Sequence, residues 1–171
     1  EQTAAQYGYQ KTSIWTYARP EAKKYTSVTR ESFIGVGAGA ASQFGNYFYV
    51  NTFNVDAYIE RVNRGRLPIN LVNEMTEKER MVFWLFWRCY EASIDTVEFQ
   101  QLFKTQLKEE FPLLFKAMRL FSLVKEEGKT LKLTSRGAYL YHLIEKHYSK
   151  TYLNDMWAAG MSRPWHDSFR L

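Results

Sequence analysis

A chain of 171 residues with 46% hydrophobic and 17% aromatic content suits one ordinary domain, or one small domain with an appendage, and is far from a disordered composition. The formal net charge of +5 is spread along the chain without a basic block, which argues against a nucleic-acid binder driven by charge. Cys89 is the one cysteine, which excludes an intrachain disulfide, a thiolate zinc site or an iron–sulfur site built from these residues alone and fits a reducing, cytoplasmic setting. No run reaches the ~18 apolar residues of a membrane span, and no basic-then-apolar leader is expected.

In chain order, "EQTAAQYGYQ" reads as the last turns of a helix ended by Gly8. "KTSIWTYARP" is a β-branched and aromatic run stopped by Pro20, a strand signal. "SFIGVGAGAAS", from Ser32, is a second strand candidate and "NYFYVNTF" a third, with a Gly45-Asn46 turn between them. "NVDAYIERVNRG" predicts a helix of about three turns, capped by Asn54, with Val55, Tyr58, Ile59 and Val62 at helical spacing and Gly65 as its stop. "RLPINLVNEM" reads as a connector, with a domain boundary near Pro68.

Beyond the connector, Thr76 with Glu79 forms a capping box opening the mostly buried helix "EKERMVFWLFWRCYEA". "SIDTVEFQQLF" predicts a short extended step and a capped helix, and "KEEFPLLFKAMRLF" a third helix that tolerates Pro112 in its first turn. "SLVKEEGKTLKLTSRG" predicts a hairpin turning at Glu127-Gly128-Lys129, after which Thr134 caps "SRGAYLYHLIEKHY". Three helices, a hairpin and a further helix make a winged-helix pattern. The tail predicts one more helix and an extended end carrying Trp157 and Trp165.

A winged helix that reads DNA presents Arg, Lys, Asn or Gln near the start of its recognition helix. Here that helix begins Lys108-Glu109-Glu110-Phe111, and its leading carboxylates repel phosphates. A free-standing nucleic-acid-binding winged helix and a porphyrin- or heme-binding protein with an aromatic surface are the alternative functional readings. His142 and His147 are five apart, off a common helical face, and with His166 they predict no zinc site. Cys89, among Trp84, Phe86 and Trp87, reads as a buried, inert thiol.

The glycine-rich strip matches neither the phosphate-binding loop nor the dinucleotide fingerprint, because Gly35, Gly37 and Gly39 are spaced by two. On a strand that spacing puts all three on one face, bare of side chains, against which another element of the fold or a flat ligand lies.

"TYARP", then "SFIGVGAGAAS", then "NTFNVDAYIERVNRGRLP", and finally "LVKEEGKTLKLTSRGAYL" together resemble, in order, the late part of radical S-adenosylmethionine enzymes of the oxygen-independent coproporphyrinogen III oxidase group. The resemblance implies an α+β chain: the last strands of a partial (β/α) barrel with a connecting helix in residues 1–68, then a mostly helical, winged-helix-like C-terminal domain in residues 69–171. It implies that Gly35, Gly37, Gly39, Ala40, Ala41 and Ser42 line the S-adenosylmethionine site, and that Tyr17 and Arg19 contact the substrate, a tetrapyrrole whose propionates suit a cation. Family members often carry His, Trp or Ile where Ala41 stands.

The family's [4Fe-4S] cluster is held by Cys-x-x-x-Cys-x-x-Cys, which does not occur here. The expectation is therefore a C-terminal fragment that is not catalytic alone, binds neither cofactor by itself, and belongs with an N-terminal barrel of its parent. Strands cut from a barrel leave unpaired edges, so self-association through the β-rich first third is also expected.

Overall fold

The computed structural model describes residues 2–22 and 31–166. Their contacts divide into two units, one drawn from residues 1–29 with 81–145 and the other from residues 30–80 with 146–171. Helices and small sheets alternate in both, which makes the chain α+β.

The first unit begins with a short helix, α1 (Gln2–Gln6), and a minimal antiparallel hairpin of β1 (Gln10–Lys11) and β2 (Tyr17–Ala18). The strand expected through Trp15 is thus two paired dipeptides around a turn, in which Ser13 Oγ lies 2.6 Å from Thr16 Oγ1. The unit's main helix is α3 (Glu77–Tyr90), whose capping box forms as expected: Thr76 N donates to Glu79 Oε2 at 2.7 Å, and Glu79 N to Thr76 Oγ1 at 3.3 Å. Then follow β6 (Ser93–Asp95), α4 (Thr96–Phe103), α5 (Leu107–Glu110), α6 (Pro112–Leu120), the hairpin β7 (Val124–Glu127) and β8 (Thr130–Leu133), and α7 (Ser135–Tyr148).

β8 lies between β6 and β7 in an antiparallel sheet, with Ile94 opposite Leu131 and Val124 opposite Leu133. Over it Met81, Trp84, Leu85, Ile94, Phe99, Phe103, Leu107, Met118 and Leu131 form one apolar core. Its rings meet edge to face: Trp84 and Phe99 are 5.5 Å apart at 65°, a geometry that aligns positive ring edges with negative faces. Arg88 is buried on the same helix, its guanidinium 4.9 Å from the Trp84 ring and paired with Glu91 at 3.0 Å and Glu98 at 2.9 Å. Those partners offset the cost of burying a charge.

The second unit holds β3 (Ala41–Phe44), β4 (Tyr47–Asn51) and β5 (Ile69–Glu74) in an antiparallel sheet of that order. The segment expected to be a connector is β5. Its sequence is too polar to announce a strand, but the open edge of β4 supplies partners, with Val50 opposite Leu71 and Tyr49 opposite Val72. The residues on both sides of Pro68 therefore belong to one sheet and its approach, with Thr52 N donating to Pro68 O at 2.8 Å. Between β4 and β5 lies α2 (Val55–Asn63), where Asn54 Oδ1 accepts from Ala57 N at 2.9 Å as an N-cap should. A π-helical turn (Ser149–Leu153) leads into α8 (Asn154–Ser162). Trp157 lies on α8 and not on the expected extended end; the chain is extended at Arg163, ahead of Trp165, and the rest of that end lies outside the described residues after His166.

Every strand pairing among the described residues is antiparallel, whereas neighbouring strands of a (β/α) barrel run parallel. No helix among them is long and apolar enough to cross a membrane.

Candidate functional site

The glycine-rich strip is not the strand expected from its spacing. Phe33 makes one antiparallel bridge to Gln43, residues 34–40 form an irregular loop, and strand geometry begins only at Ala41. The reason is the backbone: Gly37 sits at φ 115° and Gly39 at φ 70°, values that L side chains rarely adopt and that turn the chain out of an extended path.

Each glycine is held by a different neighbour within the second unit. Gly35 N donates to Ser42 Oγ at 3.0 Å, and a Cβ on Gly35 would collide with the Ala41 carbonyl oxygen. Gly37 N donates to the Tyr58 hydroxyl at 3.1 Å, while Asn51 Nδ2 donates to Gly37 O at 2.9 Å and, more weakly, to Gly35 O at 3.4 Å. Gly39 N donates to Thr52 O at 2.9 Å, and a Cβ there would stand 2.9 Å from Phe53 Cδ1. Asn51 N closes the set on Ala40 O at 2.9 Å.

These contacts sort the six expected residues. Ser42 is buried and its hydroxyl accepts from the loop itself. Gly35, Gly39, Ala40 and Ala41 shape the turn through their backbones. Gly37 alone of the three glycines has open space where a Cβ would point, and its neighbours Ile34 and Val36 present aliphatic side chains that are 77% and 85% exposed. The loop is thus a fixed backbone ridge with one bare position, Gly37, directly after exposed Val36 and three residues after exposed Ile34. At Gly37 the backbone is open to close approach.

Asn51, Tyr58 and Phe53 carry the loop's geometry and were missed by sequence reasoning. The "NTF" stretch reads only as the end of a strand, and Tyr58 only as one apolar position of a helix face. The buried position of Asn51 is a signal with a mechanism, because a buried amide takes hydrogen-bond partners and here finds two loop carbonyls.

Tyr17 and Arg19 belong to the first unit, and the loop to the second. The Arg19 guanidinium lies 5.7 Å from the centroid of the Tyr9 ring, and no carboxylate partner for it occurs among the described residues.

Cys89 packs against the first unit's core, and desolvation pushes its thiol up to about 12. A [4Fe-4S] cluster needs thiolates, so this lone protonated thiol does not fit one. No group of three or more His, Cys, Asp or Glu side chains placed to hold a metal occurs among the described residues. The Trp15 and His142 rings meet edge to face at 5.1 Å. Two of the hairpin's cations are answered internally, Lys125 and Lys132 both pairing with Glu127, at 3.3 and 2.8 Å, and Arg119 of α6 pairs with Glu126 at 3.1 Å. α6 presents exposed Leu113 and Leu120 beside them, a poor surface for phosphates.

No family model and no curated protein matches the chain. Among solved structures it is similar to coproporphyrinogen III oxidase (HemN) from Escherichia coli, a radical SAM enzyme, with a TM-score of 0.62 at 18% identity over 82% of this chain. The chain spans 37% of the length of that one, and at this identity the two share a fold.

Proposed function

We propose that this chain is the C-terminal portion of a radical S-adenosylmethionine enzyme like oxygen-independent coproporphyrinogen III oxidase. It supplies one wall of the S-adenosylmethionine pocket and helps cover a tetrapyrrole. The observation that carries the reading is the likeness of fold over most of this chain and little more than a third of that enzyme. In this reading residues 1–68 correspond to the terminal part of the parent's partial barrel with its connecting helix and residues 69–171 to its winged-helix-like domain, with β5 pairing across that boundary and the strands antiparallel where a barrel's run parallel.

A second feature supports a missing body. Helix α2 has no buried residue, and Val55, Ile59 and Val62, at i, i+4 and i+7, stand 59%, 50% and 45% exposed. A stripe at that spacing belongs against a core. The rest of the barrel covers it in the parent, and in the isolated chain it joins the β-rich first third in driving self-association. A strictly monomeric sedimentation profile at high concentration contradicts that.

In the parent, S-adenosylmethionine supplies the reactive group and the nucleoside lies over Gly37 between Ile34 and Val36. Gly35, Gly39, Ala40, Ala41 and Ser42 hold the ridge to which it binds. Tyr17 and Arg19 meet a propionate of the substrate, Arg19 through its charge-assisted donors. The iron–sulfur cluster belongs to residues outside this chain.

The coding region upstream of Glu1 tests the reading directly. An in-frame Cys-x-x-x-Cys-x-x-Cys is expected, and an upstream frame without it sinks the proposal. Titration of the isolated chain with heme or porphyrin is expected to leave the Soret band unshifted; a saturable shift favours a self-sufficient porphyrin binder. No duplex-DNA binding is expected at low salt, and tight binding with a steep salt dependence favours the nucleic-acid reading.

A further inference from the structure

The ring of Phe53 is pinched between two glycines distant in sequence. A Cβ on Gly39 would stand 2.9 Å from Cδ1 on one ring edge, and a Cβ on Gly160 would stand 2.8 Å from Cε2 on the other. Gly39 is in the glycine loop, and Gly160 is in the last turn of α8. The Trp157 ring, one turn earlier on α8, lies 6.4 Å from the same phenyl ring. Below the pinch, Asn70 of β5 donates from Nδ2 to Gly160 O at 3.2 Å and Arg163 O at 3.4 Å, and His166 Nε2 lies 2.8 Å from Ala159 O. These groups answer the carbonyls that a helix end leaves unsatisfied and tie the end of α8 to the sheet that carries the loop.

We propose that Phe53, Gly160 and Asn70 are positioning residues through which helix α8 sets the geometry of the glycine loop. What the loop receives, an adenosyl cofactor, rests on the preceding reading; the positioning does not. The physical step is steric. A methyl at Gly160 cannot be accepted without moving the phenyl ring, and the ring's other edge is already against Gly39. Displacement therefore passes into the loop, where Gly39 N holds Thr52 O and Ala40 O holds Asn51 N. The ring is half-buried but held at both edges, so along the line from Gly160 to Gly39 there is no void to absorb the shift. By reciprocity, a ligand that fixes the loop also fixes α8.

Hydrogen exchange of the 171-residue chain, without ligand, tests the positioning. Alanine is a better helix former than glycine, so if α8 were independent of the loop, Gly160→Ala would leave the loop alone and tighten the helix. We expect instead that Gly160→Ala raises exchange across residues 35–41 by about tenfold, while the β4 and β5 amides stay protected. The double variant Gly160→Ala with Phe53→Leu removes the ring edge and restores the loop. Met161→Ala, at an exposed position on the same helix, changes nothing. Asn70→Ala adds no bulk and loosens both the end of α8 and the loop; it decides the matter if Gly160→Ala unfolds the whole second unit. Unchanged loop exchange in Gly160→Ala or Asn70→Ala, or a double variant no better than the single one, overturns the proposal. A chain that shows the coupling but comes from a parent that binds no adenosyl cofactor leaves the positioning standing and removes only the ligand.

Discussion

Gly137→Ala pits two effects of opposite sign against each other. Gly137 lies in the first turn of α7, and alanine in a helix is worth about 1 kcal/mol over glycine. A Cβ at this position, however, would collide with the carbonyl oxygen of Leu123 and stand 2.9 Å from its carbon. That oxygen is backbone and cannot swing aside. It also accepts from Thr134 N at 2.9 Å, and the single Thr134 hydroxyl proton is shared between it, at 3.2 Å, and Ser122 O, at 2.8 Å. Relief requires α7 to back away from the start of β7, which loosens the bonds of these two donors at roughly 1 kcal/mol each and adds a misfit of about 1–3 kcal/mol. Subtracting the helix gain leaves a net loss of about 2–4 kcal/mol. Urea unfolding followed by tryptophan fluorescence, with Trp84 in the core as the natural probe, measures it. Gly65→Ala, at φ 67° with open space around it, serves as a control that incurs only the backbone cost of about 1–2 kcal/mol. A Gly137→Ala chain as stable as the parent, or more so, refutes the close approach of α7 and Leu123.

Lys104 closes α4 in the left-handed region at φ 59°, so Lys104→Gly is expected to raise stability by about 1 kcal/mol in the same urea titration; a loss of stability contradicts the assigned cap. Cys89 is expected to resist iodoacetamide at mild alkaline pH in the native chain and react once unfolded, because its thiol is pushed up to about 12 by burial; rapid native labelling contradicts that placement. Two carboxylates give the chain an acid-sensitive component. The backbone and hydroxyl donors of Thr76 hold Glu79 below its ordinary 4.5, and Lys132 and Lys125 do the same for Glu127. A folded value below the unfolded one means the stabilisation is present above about 4.5 and is lost as pH falls through the lower folded values. The urea midpoint should therefore drop on acidification through the carboxylate range, and less so in the Glu79→Gln, Glu127→Gln double variant; an identical pH profile in that variant rules out these two groups as the source.

What was legible in the sequence is what short-range chemistry decides. The Asn54 cap, the Thr76–Glu79 capping box and the turn at Gly128 are all set by residues within a few positions of one another, and each forms where the pattern places it. β5 was not legible, because "INLVNE" becomes a strand through the partners β4 offers. The glycine strip misled for a related reason. Spacing by two is a strand's period, but a glycine at positive φ leaves no mark in the letters, and two of the three are at positive φ. The bare face that spacing implies is largely filled by the chain itself, through Ser42, Tyr58, Asn51 and Phe53. Arg88 sat inside an apolar run that predicts a buried helix; its burial depends on Glu98, delivered by the next helix. The pairing of Phe53 with Gly160 spans most of the chain, and no local pattern encodes it.

The measurement closest to the central claim is the equilibrium affinity for S-adenosylmethionine of the complete open reading frame beside that of this chain alone. The proposed function puts one wall of the pocket on the ridge at Gly37 and the remainder upstream. It predicts saturable binding by the complete protein, weakened by Gly37→Val, and no saturable binding by residues 1–171 in isolation. A complete protein that binds no S-adenosylmethionine, or an isolated chain that binds it as tightly as the complete one, would contradict the account.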